Sequence, residues 1–275
     1  VDGDSLVFRA RRAWGHLRTD AGPVALLFGA GLIPDLWINA LEQHFHQRGA
    51  APLLTERGQF FNHSDLGALA LLNTWDDRLE LALWVTNGEG RSEREQNTGK
   101  DLSLRLSVTP LRLPVHGAPL DVRAHGLYRQ GSQGVGKARN DRVAAALTVG
   151  HTHYGLGAAL YLADGYDGRS EQKARGLDLW ADARLYPDWL GAMAHLTQLT
   201  VDPDDTAATT TRLSTGLFAD LARPVPGLGR LRLYALYERD TVDAAAAPFP
   251  GIPEAANAQR VVLKLEASGA ARFDF

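Results

Sequence analysis

A chain of 275 residues with a formal net charge of −3, its Lys and Arg scattered singly, offers no polyelectrolyte surface, so no nucleic-acid partner is expected. It contains no cysteine, which removes disulfides, thiolate zinc sites and cysteine nucleophiles together. No run approaches about 18 consecutive apolar residues, so no transmembrane helix is expected. The start, "VDGDSLVF", has no basic region followed by an apolar one, and any signal peptide is expected to have been removed.

Apolar and polar residues alternate along 5–18 and 23–33, and a period of two reads as strand. Residues 34–64 interrupt the pattern. There "DLWINALEQHFHQ" places Leu36, Ile38, Leu41 and Phe45 behind Asp35, a short helix with an Asp N-cap. Alternation resumes at 65–75 and 79–88, and "DLSLRLSVTPL" sets Leu102, Leu104, Leu106 and Val108 against Ser103, Arg105, Ser107 and Thr109. "LDVRAHGLYRQ", 142–152, 154–166, "GLDLWADARLYP", 190–201, 211–223 and "RLRLYALYERD" continue it. The last stretch, "QRVVLKLEASGAARFDF", alternates from Gln259 to Phe275. At about 3.3 Å per residue it approaches 50 Å, well beyond the usual globular strand.

The connections alternate in length. "TDAGP", "WDDR", "RLPVHGAP", "HTHY", "YPDW" and "RPVPGLG" are short and rich in turn residues. Between them lie 34–64, "NGEGRSEREQNTGK", "GSQGVGKARND", "DGYDGRSEQKARG", "VDPDDTAAT" and "DAAAAPFPGIPEAANA". One all-β domain over 1–275 is expected: a transmembrane antiparallel up-and-down barrel of about 12–14 strands, with short periplasmic turns and long extracellular loops. A soluble sandwich also alternates. Charges on nearly every polar face, and Trp75, Tyr128, Tyr154, Tyr186, Trp189 and Tyr237 near strand ends, favour the bacterial outer membrane. Thirteen strands would leave the first and last parallel, so the expectation is either a further strand before Val1, giving fourteen, or a strand merged or miscounted in this reading.

A terminal Phe on an amphipathic last strand resembles the general signature of bacterial outer-membrane proteins, and the resemblance implies that Phe273 and Phe275 signal assembly. More narrowly, "FRARRAWGHLR", "LLFGAGLIP", "ERGQFFNHSDLGALA", "LWVTNGEG" and "GKDLSLRLSVTP" resemble, in order and spacing, the first hundred residues of the phosphate-selective porin O/P family. That likeness implies a sheet with an early Arg-rich strand, a strand ending in Pro, and an anion-selective pore.

The expected pore lining is Arg9, Arg11, Glu80, Arg105, Arg123, Arg129, Asp178, Asp182, Arg184, Arg212, Arg232, Glu238 and Lys264. Such a lining reads as a basic-leaning pore or as a cross-strand lattice of ion pairs. Segment 34–64, with Asp35, Trp37, Glu42 and His44, reads as an inward constriction or plug, or as an external cap or partner-binding surface, the external reading being preferred. His44 and His46 beside Glu42 do not share a helical face and have no evident third ligand, so no metal is expected. In Asn62–His63–Ser64 the His and Ser are neighbours and point to opposite faces of a strand, a poor catalytic pair.

The first functional expectation is a porin-like channel for small hydrophilic solutes, including anions, neither enzyme nor cofactor-dependent, in contact with outer-membrane lipid. The second is a structural barrel that docks lipoproteins, other envelope proteins or further copies of itself. A remote third is an outer-membrane hydrolase.

Overall fold

The computed structural model describes residues 13–47, 49–88, 99–133, 137–166, 169–185, 189–202, 209–222, 230–243 and 257–268. Strands β1 (Ala13–Ala21) and β2 (Val24–Pro34) precede two short helices, α1 (Leu36–Glu42) and α2 (Leu54–Arg57). Then follow β3 (Ser64–Thr74), β4 (Leu79–Thr86), β5 (Asp101–Val115), β6 (Ala118–Gln130), β7 (Ser132–Gln133), β8 (Ala138–Arg139), β9 (Asp141–Gly150) and β10 (Tyr154–Tyr166). The chain continues through β11 (Arg169–Arg184), β12 (Leu190–Val201), β13 (Thr209–Ala222), β14 (Arg230–Val242) and β15 (Gln259–Ser268). Thirteen of these strands form one antiparallel sheet in sequence order, and β7 and β8 make a separate two-stranded ribbon. The all-β, up-and-down expectation holds.

Turn chemistry sets the registers. His116 and Gly117, at φ of 48° and 79°, form a two-residue turn between β5 and β6, and two left-handed residues match the twist of the flanking strands. Trp75, Asp76 and Asp77 are left-handed between β3 and β4. Two expectations need correction. "DGYDGRSEQKARG" is not a long loop, because β10 and β11 run through it and leave only 167–168 between them. Nor does β5 end at Pro110: the register slips between Val108 and Leu111, a bulge that absorbs a residue with no N–H to give, and the strand runs on to Val115.

Burial across the sheet is inverted relative to a water-soluble sandwich. On β5, Ser103, Arg105, Ser107 and Thr109 are buried, whereas Leu104 between them is 46% exposed. The buried face is covered by residues 35–63. Arg105 on β5 donates to the Leu36 carbonyl, and Arg232 on β14 donates to Gln47. Those strands stand seven steps apart in the sheet, about 34 Å if it were flat at about 4.8 Å per step. One short segment reaches both, so the sheet curls around it. The described residues of 35–63 therefore lie inside the curl, which corrects the preferred external reading of 34–64.

The sheet has two edges, β1 and β15, and its antiparallel order makes them run the same way. Among the described residues no ladder joins them.

Candidate functional site

The segment enters at the end of the sheet that carries the longer connections. Asp35 caps α1 as expected, its Oδ1 accepting from the N–H of Trp37 (2.9 Å) and Ile38 (3.1 Å). Its other oxygen takes the Arg129 Nη2–H at 2.5 Å. Arg129 also donates from Nε to Ser103 (2.7 Å), and its guanidinium lies 4.7 Å from the Phe61 ring centroid. One carboxylate therefore starts the helix and ties it to β6.

α1 then carries apolar residues down the interior. Trp37, fully buried, stands edge-on to His125 and Tyr161 with centroids 6.3 Å from each. At the short-turn end His44 sits on two facing glycines. Gly150 and Gly155 pair across β9 and β10, and a Cβ on the first would strike the His44 ring, on the second the His44 carbonyl. Thr148 Oγ1 lies 3.2 Å from His44 Nδ1, and Trp180 donates to the His44 carbonyl at 3.3 Å. Burial first, and Arg123 second, push the His44 pKa down to about 4, so the ring is neutral at pH 7. His46 next door pairs with Asp182 at 2.9 Å, and Gln47 takes a hydrogen bond from Arg232 at 2.6 Å.

The return leg climbs back. Asp178, bound to His195 at 2.5 Å, accepts the Leu54 N–H at 2.7 Å, as an N-cap would, at the start of a helix whose own N-cap side chain is Leu53. Near the loop end Tyr166 donates to the Gly58 carbonyl (2.5 Å) and Arg142 to that of Phe60 (3.2 Å). The hairpin thus spans the interior from one end to the other, held at several heights. At the loop end, Asp35, Asp65, Asp101 and Arg129 border a recess of about 10 Å³, room for roughly one water.

The candidate lining residues are mostly committed to partners. Arg105 pairs with Glu80. Arg123 donates to Gln43 (3.1 Å), Arg184 and Arg232 share Asp220 (3.2 and 2.6 Å), Arg212 forks onto Asp240 (2.5 and 3.0 Å), and Glu238 binds Arg260 (2.6 Å). Asp178 and Asp182 are engaged as above. Lys264 is exposed on β15. Arg9, Arg11, Phe273 and Phe275 lie outside the described residues. The arrangement is the cross-strand lattice, extended onto the inner segment, rather than a ladder of open cations.

Sequence reasoning grouped Glu42 with His44 and His46, but the two imidazoles diverge, one to Thr148 and one to Asp182. Ser64 is buried at the start of β3, while His63 Nε2 lies 3.8 Å from Glu56. The anchors Arg142, Trp180 and Tyr166 were missed. Each belongs to an alternating strand, and an inward parity was their only signal; the glycine seat had none. Compared with known proteins, the chain matches no family model and no curated protein.

Proposed function

We propose that this chain is an outer-membrane β-barrel of the structural or interaction class, its interior closed by its own residues 35–63 rather than open to solutes. The observation that carries the reading is the double role of the inner charges. Arg105, Arg129, Arg142 and Arg232 each donate to the inner segment, three of them to its backbone carbonyls, so the residues that would attract anions hold a plug instead. The lipid setting is supported by the outward leucines and by Trp75 and Trp189, both exposed at the short-turn end where an interfacial girdle belongs. Closure by antiparallel pairing needs an odd number of strands between β1 and β15, which agrees with the fourteen-stranded expectation and leaves room for a strand from this chain or a partner.

The test is conductance in planar bilayers. The intact protein is expected to give no steady channel, and a variant with residues 37–61 replaced by a short Gly/Ser linker is expected to conduct. Equal conductance from both proteins would restore the open-porin reading. Fractionation with inner-membrane or soluble proteins, without a heat-modifiable band, would remove the outer-membrane reading.

A further inference from the structure

Glu42, the last residue of α1, Glu56 in α2 and His63, just before β3, come from three separately folded pieces of the inner segment. Each offers one ligand atom, and all three atoms lie within 4.8 Å of one another. Glu56 Oε1 and His63 Nε2 are 3.8 Å apart, with the His63 side chain only 9% exposed. Two atoms bound to one zinc ion at about 2.0–2.2 Å stand about 3.3–3.6 Å apart in a tetrahedral shell. The Glu56–His63 pair is already within a few tenths of an ångström of that spacing, and the outer limit of 4.8 Å leaves Glu42 about an ångström to close.

We propose that Glu42, Glu56 and His63 form a divalent-cation site that fastens the two helices of the inner segment to the start of β3. Two carboxylate oxygens and one imidazole nitrogen make a set suited to Zn²⁺ and to neighbouring first-row ions, with water completing the shell. The two carboxylates balance a divalent charge in a half-buried place. The ion adds to ties already present: α1 is held to β6 through Asp35 and Arg129, α2 to β11 through Asp178, and residue 63 to the cap of α1 through its carbonyl, which accepts the Asp35 N–H at 2.9 Å. Ligand binding of this kind stabilises by mass action, because the unfolded chain does not hold the three groups together. The site rests on local geometry and stands whether or not the barrel conducts.

The probe is Zn²⁺, with Co²⁺ as its spectroscopic substitute, added to the folded full-length chain without a histidine tag. Expected are one equivalent of tightly held metal, a visible Co²⁺ absorption band, and a rise in unfolding temperature on metal addition. His63→Ala and Glu56→Gln should each weaken binding at least tenfold and abolish the temperature rise, and Glu42→Gln should weaken it as well. The control is His153→Ala. His151 and His153 stand with ring centroids 5.4 Å apart in the β9–β10 turn, a second place where zinc could lodge. Binding lost only in that control, binding unaffected by all three ligand variants, or no binding at all would overturn the proposal. If His63→Ala does not fold, the two Gln variants, which keep side-chain shape, decide the question.

Discussion

Strand β5 and helix α1 use leucine in opposite ways. On β5, Leu104 is 46% exposed while its neighbour Arg105 is 2% exposed; on α1, Leu41 is fully buried and Glu42 turns partly outward. In the proposed reading, one chain therefore folds against two solvents. The inner segment is a small core of the ordinary kind, driven by removal of apolar surface from water. The sheet around it is the inverse: its polar side is satisfied by ion pairs and by the carbonyls of that core, and its apolar side faces outward, toward lipid in the proposed reading. The interior arginines therefore cannot be read without the segment they grip. An arginine whose guanidinium meets a buried carbonyl and a carboxylate is a fastening; the same residue facing water would be a selectivity filter.

The contrast breaks most sharply at Trp37. Trp37→Ala empties the space between His125 and Tyr161 and should cost about 3–5 kcal/mol of unfolding free energy, measured by denaturant titration of the refolded protein. Leu104→Arg tests the other side. Facing a bilayer it should cost about 2–4 kcal/mol, whereas an exposed position in a water-soluble protein would move by no more than about 0.5 kcal/mol. Gly150→Ala, which pushes a methyl into the His44 ring, should cost about 1–3 kcal/mol and loosen the short-turn end of the segment without touching the loop end. Acid sharpens the same point. The folded-state pKa of His44 is depressed, so its contribution is fully present above the ordinary value of about 6.5 and is lost as pH falls through about 4. Stability should fall across that window, and His44→Gln should flatten the fall. The smallest effect belongs to the hairpin: His116→Asn relieves a left-handed histidine and should gain about 0.5–1 kcal/mol with no change in the inner segment.

Much of the sheet was legible because its signal is local. Period two along Leu102–Thr109 or Arg230–Tyr237 fixes face and strand together, and it correctly gave the strands and their order. Strand ends were less legible: the bulge at Pro110 and the continuation through Arg169–Arg175 depend on cross-strand pairing, which composition does not display. The N-cap at Asp35 was readable, since its acceptor and the N–H groups it serves are two and three residues away. The destination of α1 was not. A seven-residue helix with one apolar face packs as well outside a barrel as inside it. What decides is the partner surface, made of Arg105, Arg129, Tyr161 and Trp180 on four different strands. For the same reason Glu42, Glu56 and His63 showed no grouping in the sequence: a chain reversal, not a motif, brings them together.

Whether residues 35–63 sit inside the curled sheet is measurable by thiol labelling, because the chain has no cysteine of its own. Ala51 is fully buried within the segment, and Gln59, eight residues on, is exposed. Ala51→Cys and Gln59→Cys, each the sole thiol, would be exposed to a hydrophilic maleimide in folded protein and again after unfolding. Rapid labelling is expected at 59, and at 51 protection that is lost only on unfolding. Equal and rapid labelling of both positions in the folded protein would place the segment outside and overturn the enclosed arrangement.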